Sequence, residues 1–221
     1  MIIQYTDFNG SDSLITNNFQ NQWNELSDII TKMPLHLKAS DQRGKQGNPI
    51  FDPVGTNEHL KDELKKINWQ PNVRIPEEFT FLGKDVDFTK DGVLVEVQFS
   101  NYPFLLNNVV RSELFYKSKT LLPDIPIKVL FIITKAHMFP SSNSTLYYEQ
   151  AIQQLNSLVK HNVFDVPTRL IGLFEKTQQT SVTWSEYSES RYSRAIASRV
   201  ISQCHIVPGK TFCKLTIIPN D

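Results

Sequence analysis

A chain of 221 residues that is 40% hydrophobic and 11% aromatic has enough apolar material for a large core, which excludes a disordered protein. Acids and bases balance at 23 each and the isoelectric point lies near 7.0, so whole-chain charge gives no argument for a polyanionic partner, although a basic cleft can be offset by acids elsewhere. Cys204 and Cys213 alone exclude a disulfide scaffold and suit a reducing compartment, and no apolar run reaches the ~20 residues of a membrane span.

The N-terminus, MIIQYTDF, lacks a basic stretch followed by an apolar one, so a cytoplasmic protein of bacterial type is expected. Leu14, Phe19, Trp23, Leu26, Ile29 and Ile30 fall at helical spacing and predict a helix over about 13–32. Residues 36–53 are polar and end in FDPVGTN. They read as a long loop, with Asp52-Pro53 as a turn. Thr56 or Asn57 is expected to cap the next helix, EHLKDELKK, and residues 70–78, with Pro71 and Pro76, read as a connection.

Asp91-Gly92 is a strong turn signal between two apolar runs, so a β-hairpin is predicted over 79–88 and 93–99. A helix follows from Tyr102-Pro103 to about residue 118, with Leu106, Val109, Val110, Leu114 and Phe115 as its buried stripe. The run 127–134 predicts a strand covered on both faces, and 137–144 a loop. Residues 145–160 predict a helix capped by Asn143 or Ser144, 168–174 a buried strand, and 211–218 a last strand. Residues 176–194 are polar, and Arg191, Arg194 and Arg199 concentrate positive charge. Helices alternating with strands after a hairpin imply an α/β fold, a mixed β-sheet flanked by helices.

Chemistry concentrates on the hairpin. Strand period places Glu96 and Gln98 on one face of 93–99. Glu96 is thus an acid inside a strongly apolar strand, costly unless its charge is matched. A divalent cation shared with Asp87 would match it, since carboxylate oxygens are what Mg²⁺ prefers. Asp85 shares a strand face with Asp87 and competes for that role. An ordinary salt bridge or an exposed sheet edge would also account for these acids. Arg111 suits either a phosphate contact or a pair with Glu113 or another acid. Cys204, Cys213 and His205 match no standard zinc spacing, and His137 reads as structural.

Asp87 followed by Glu96-x-Gln98 resembles the metal core of the PD-(D/E)-x-K nucleases, with Gln in place of the usual Lys. The strings MPLHLKASDQ, IFDPVGTN, LVEVQFSNYPFLLNN, HMFPSSNSTLYYEQ and FDVPTRL are longer and more specific. Through them the chain, from about residue 33 to 194, resembles the BglII-type family of type II restriction endonucleases. The resemblance implies a restriction-endonuclease-like mixed sheet with loop or small β additions. It implies one catalytic domain over 1–221, with 176–221 as a candidate β-rich subdomain. It implies a homodimer that cuts double-stranded DNA at A/GATCT with Mg²⁺, leaves a four-base 5′ overhang, and is paired with a protecting methyltransferase.

Carried over by motif, Asp87, Glu96 and the Val97 carbonyl are metal ligands, and Asp87, Glu96 and Gln98 are catalytic. Asn101, Asn143, Ser144, Tyr192 and Arg194 match DNA contacts. Helix capping for Asn143 and Ser144, and a solvated basic loop for Tyr192 and Arg194, are the plainer alternatives. Where the family carries a basic residue ahead of Arg191-Tyr192, this chain has Ser190. A same-fold nuclease with another specificity and a non-catalytic DNA-binding protein are the rival readings. Lys38, Arg43 and Lys45 suit phosphate contacts, which add affinity without sequence information.

Overall fold

The two continuous apolar runs form the centre of a six-stranded sheet. In the computed structural model, which describes residues 1–141, 145–189 and 194–218, Val129–Lys135 is strand β7 and Thr168–Phe174 is β8. Every residue of β7 is buried, as expected of a strand covered on both faces. β7 pairs in parallel with β8 and with β6 (Val93–Val97). Antiparallel strands close both sides: β1 (Ile2–Phe8) beyond β8, and β5 (Asp85–Lys90) and then β4 (Gln70–Arg74) beyond β6.

Helices cover both faces. On one, Leu26 and Ile30 of α2 (Gln20–Lys32) and Leu60 and Leu64 of α3 (Pro53–Lys66) pack with Val93, Val95, Phe131 and Ile133. On the other, Leu105 and Val109 of α4 (Pro103–Ser118) and Ala151 and Leu155 of α5 (Tyr148–Lys160) pack with Leu94, Leu130 and Leu170. Burying such rows of aliphatic side chains is the main force holding the layers together. The helix predicted over 13–32 runs from Ser11, as α1 (Ser11–Leu14), a π-turn over Ile15–Phe19, and α2.

Several local expectations are corrected. Residues 36–53 are not all loop, because they supply β2 (Leu35–Ala39) and β3 (Pro49–Phe51). Helix α3 starts earlier than predicted: Pro53 takes its first turn and the Asp52 carboxylate caps it, accepting from Val54 N–H at 3.2 Å. Thr56 lies inside the helix, its hydroxyl donating to the Asp52 carbonyl. Residues 70–74 form β4 rather than a connection, and Glu77–Leu82 is a 3₁₀ helix rather than the start of the hairpin strand. Helix α5 begins at Tyr148, with Tyr147 at its N-cap position and no side-chain cap there; Asn143 and Ser144, the expected caps, lie outside the described residues. In α4, Leu106 and Val110 are 43% and 47% exposed. Its buried face instead mixes Leu105, Val109 and Phe115 with Asn108, Arg111 and Ser112.

The polar stretch from residue 176 onward is mostly strand. β9 (Gln179–Tyr187) and β10 (Ile196–Val207) form a long hairpin, and β11 (Lys214–Ile218) pairs with β10. This second sheet is completed from far upstream: β2 pairs in parallel with β9, and β3 with β2. No helix among the described residues is long and apolar enough to cross a membrane.

Arg169 on β8 is buried, its guanidinium carbon 4.1 and 4.5 Å from the centres of the Tyr5 and Trp23 rings, which themselves meet edge to face, and the guanidinium grips both Asp7 carboxylate oxygens at 2.8 Å. Removing one partner of such a pair strands the other charge in the interior. Asp7→Ala should therefore cost about 3 kcal/mol, while Asp12→Ala, at the exposed end of the same cluster, should cost well under 1 kcal/mol. Urea unfolding of both variants checks this, and equal losses would refute it.

Candidate active site

The hairpin around Asp91-Gly92 is tight. Both residues have positive φ, 50° and 89°, the conformation of a two-residue turn whose twist matches its strands. The β5–β6 ladder pairs Phe88–Lys90 with Val93–Val95 and goes no further. Beyond it the Asp87 side chain takes over the pairing, Oδ2 accepting from Val97 N–H at 2.7 Å. β6 meanwhile stays on β7 as far as Val97. A carboxylate is thereby built into the point where two strands part.

Glu96 and Gln98 share the α4 side of β6, as strand period predicts. Glu96 is 2% exposed, and Arg111 Nη2 donates to its Oε1 at 2.5 Å. Of the readings open for Arg111, pairing with an acid is the one realised, and the acid is Glu96. Arg111 Nη1 is held by the carbonyls of Leu82 and Asp85 at 3.3 and 3.2 Å. Gly83 makes room for it: φ is 133°, and a Cβ there would lie 2.7 Å from Nη1. Burial, followed by the negative charges of Asp87 and Asp85, pushes the Glu96 pKa up to about 8, although Arg111 favours the charged form. Burial raises Asp87 too, against the Val97 hydrogen bond and Arg111.

Gln98 has its side chain turned into the protein. Its amide donates to Ser100 Oγ at 3.0 Å and to the Asn101 carbonyl at 3.2 Å, and its oxygen accepts from Asn108 at 3.3 Å. In this arrangement it braces the turn after β6.

Asp87 and Val97 face a cavity of about 210 Å³ that Asn57, Glu58, Lys61, Asn72 and Phe88 complete. Sequence reasoning placed Asn72 in a connection and passed over Lys61. Asn72 holds φ at 51° within β4, a left-handed conformation that Asn tolerates better than most residues. An Asn flanked by Pro71 and a β-branched residue was the one available signal.

The DNA-contact candidates are only partly placed. Asn101 is exposed on the turn between β6 and α4, and Arg194 is exposed just ahead of β10. Asn143, Ser144 and Tyr192 lie outside the described residues. Lys45 lines a second cavity, of about 340 Å³, with Ser141 and Lys214, and Lys38 stacks on the Tyr187 ring at 4.9 Å. His137 packs against the Tyr147 and Phe212 rings, a structural position. Cys204 and Cys213 are free and buried.

Among the described residues no three His, Cys, Asp or Glu side chains converge as a cation cage. The donor set still suits a hard dication. Asp85, Asp87 and Glu96 share one field, and Arg111 is the cation that acts on Asp87 and Glu96 there. That leaves an excess of negative oxygen, to which Mg²⁺ adds water and phosphate to fill its shell.

The chain is similar to known restriction endonucleases. Residues 3–173 match the family model described as restriction endonuclease BglII/BglIII. The match starts well before residue 33, where the recognised strings begin. The type II restriction enzyme BglII of Bacillus subtilis is 54% identical over 200 residues, covering 90% of this chain and 88% of that enzyme. The crystal structure of BglII complexed with a DNA 16-mer superposes with a TM-score of 0.94 at 50% identity, covering 99% of this chain and 100% of that one. Free BglII gives 0.75 at 48% identity, covering 99% of each.

The raised carboxyls make a prediction about stability. A group whose folded pKa lies above its unfolded value stabilises the fold fully below the unfolded pKa, here 4.5, and loses that contribution as pH rises through about 8. Glu96→Gln keeps an acceptor for Arg111 but cannot ionise. It should flatten the fall in urea midpoint between those two pH values, and a slope equal to that of the parent protein would count against the raised pKa.

Proposed function

The chain belongs to the BglII/BglIII family of restriction endonucleases, and from that membership we propose that it is a Mg²⁺-dependent homodimer hydrolysing double-stranded DNA at a GATC-centred palindrome, A/GATCT. The observation that carries this reading is the pair of carboxylates, Asp87 and Glu96, brought together where β5 leaves β6 beside an open cavity. A DNA substrate is supported by the relative solved with a DNA 16-mer, whose backbone this chain follows more closely than that of the free relative.

Asp87, Glu96 and the Val97 carbonyl would hold Mg²⁺. When bound, that ion supplies positive charge for the scissile phosphate and acidifies water. The chain's own residues do the rest. Arg111 fixes the Glu96 carboxylate in one orientation. Gln98, which can both donate and accept but carries no charge, orders the turn that leads to Asn101 and, on rotation, can orient the attacking water. Lys61 lines the wall of the cavity and is the candidate there for a positive charge that Gln98 cannot supply. Arg194 suits guanine O6 and N7, and Asn101 and Asn143 suit adenine N6 and N7, with Ser144 and Tyr192 adding contacts.

A palindrome calls for two-fold symmetry. Leu106, Val110 and Leu114 form an exposed apolar stripe along α4, and we assign the dimer interface to it and to the neighbouring α5. One catalytic domain, a place in the bacterial cytoplasm and a methyltransferase guarding the host's own sites complete the proposal.

Digestion of a mapped DNA with Mg²⁺, followed by run-off sequencing of the ends, tests the site. Asp87→Ala and Glu96→Ala should each abolish cutting while binding in Ca²⁺ persists, and cleavage retained in either variant would overturn the ligand assignment. Leu106→Asp combined with Val110→Asp adds charge to exposed positions and should leave a folded monomer in sedimentation. A dimer that survives would move the interface elsewhere.

A further inference from the structure

One buried cation plays no part in the scheme above. Lys135, the last residue of β7, is fully buried, and no carboxylate among the described residues pairs with it. Its ammonium donates to the Phe99 carbonyl at 3.0 Å, to the Leu146 carbonyl at 3.3 Å and to Thr145 Oγ1. Three N–H donors thus meet three neutral acceptors. The rings of Tyr147, Phe51 and Phe99 surround it at 5.1, 5.5 and 5.8 Å, within the range where an aromatic face attracts a cation. Burial lowers its pKa to about 7. Isolating a charge this way is costly, and a methionine of similar length would fill the space at no such cost.

What the lysine joins is informative. Phe99 follows Gln98 directly and leads to Ser100 and Asn101. Thr145 and Leu146 lie on a different segment, which returns toward α5. Around Lys135 the two are laced together by Thr145 Oγ1 donating to the Phe99 carbonyl at 2.6 Å and Leu146 N–H to the Ser100 carbonyl at 2.9 Å. Thr134 on β7 adds a longer bond to the Leu146 carbonyl. The Asn101 carbonyl is in turn tied to the Gln98 amide. Among the described residues, Lys135 is the one side chain of the sheet bonded to both segments.

We propose that Lys135 is a positioning residue: its ammonium locks the Phe99–Asn101 turn to Thr145–Leu146, so that Gln98 at the scissile phosphate and Asn101 at the bases are presented in one fixed relation. This rests on the nuclease reading above. It touches neither DNA nor metal, and acts through the two backbone segments it holds. Without the ammonium, two carbonyls and a hydroxyl lose their shared donor, and the turn is left tied to the returning segment by the Thr145–Phe99 and Leu146–Ser100 bonds, with more freedom to shift.

The test uses the full-length enzyme and Lys135→Met, with Thr145→Val as a second variant that removes one acceptor of the ammonium and the Thr145–Phe99 bond but leaves the lysine. Thermal unfolding first establishes that each is folded. Binding is then measured in Ca²⁺ with a duplex carrying the cognate palindrome and with a random duplex, and kcat and KM in Mg²⁺ with cognate DNA. Lys135→Met should bind cognate DNA about tenfold more weakly, the size of one lost charge-assisted hydrogen bond, with random-duplex binding unchanged and kcat reduced. Thr145→Val should shift in the same direction by less. A folded Lys135→Met with parental discrimination and kcat, or equal losses on both duplexes, would overturn the proposal. If Lys135→Met does not fold, Thr145→Val decides by the same criteria. Parent enzyme that fails to cut any duplex would bring down the nuclease reading itself, whereas cutting parent enzyme with an indistinguishable variant removes only the role of Lys135.

Discussion

The hardest constraint in this molecule is the burial of Glu96 beside Asp87, with Arg111 of α4 bonded to Glu96. A carboxylate in an apolar strand is expensive, and the surroundings are shaped by meeting that cost. Gly83 gives up a side chain so that the guanidinium can lie over the Leu82 and Asp85 carbonyls. Helix α4 presents Asn108, Arg111 and Ser112 to the sheet where an ordinary amphipathic helix would present leucines. Its own apolar residues, Leu106, Val110 and Leu114, are consequently left facing outward. One acid on β6 thus shapes the inner face of α4 and, through it, which of its apolar side chains face outward. Even so, the match is incomplete, because the Glu96 carboxyl stays raised in spite of Arg111. That residual electrostatic imbalance is what a dication would relieve.

The second sheet is attached where the chemistry is. β3 places Phe51 so that its N–H reaches the Pro140 carbonyl, and Cys213 N–H reaches the Met138 carbonyl, so both edges of that sheet hold the segment leaving β7. At its other side, the Tyr187 hydroxyl donates to the Asp52 carboxylate that caps α3, and α3 carries the Asn57, Glu58 and Lys61 that wall the cavity beside Asp87. A shift of this sheet would therefore move one wall of the cavity and the approach to the candidate recognition segment together.

Legibility in the sequence followed physical dominance. β7 and β8 were readable because a strand buried on both faces has nearly one kind of residue along it, and the hairpin because Asp91-Gly92 leaves a two-residue turn little choice. Glu96 stood out because its neighbours are Val95 and Val97. The reading failed where a tertiary partner overrides local pattern. The stripe assigned to α4 counted Leu106 and Val110 as core, since nothing local reveals that Arg111 and Asn108 are wanted inside by residues on another strand. β2 was hidden because its pairing partner, β9, lies more than a hundred residues downstream in a stretch that reads as polar. The cap of α3 was misplaced by favouring Thr56 over Asp52, although Pro at the first helical position is the better marker. Asn72 had only the weak signal of an Asn next to Pro71, and Lys135 had none: one matters for a backbone conformation, the other for a cage that three distant rings assemble.

The glutamine at the position where related nucleases carry lysine then has a structural rationale. Gln98 uses both ends of its amide, donating to Ser100 and Asn101 and accepting from Asn108. A lysine has three donors and no acceptor. It would leave the Asn108 amide without that partner and would set a second cation close to Arg111, whose guanidinium also reaches toward Asn108. The same chain keeps a lysine on the adjacent strand, where Lys135 holds the turn that Gln98 opens, and another on α3 at the cavity wall. If the nuclease reading holds, the tasks that one motif lysine can combine, bracing the turn and supplying positive charge, would be divided among Gln98, Lys135 and Lys61. The division is possible because β6, β7 and α3 approach the same end of the sheet.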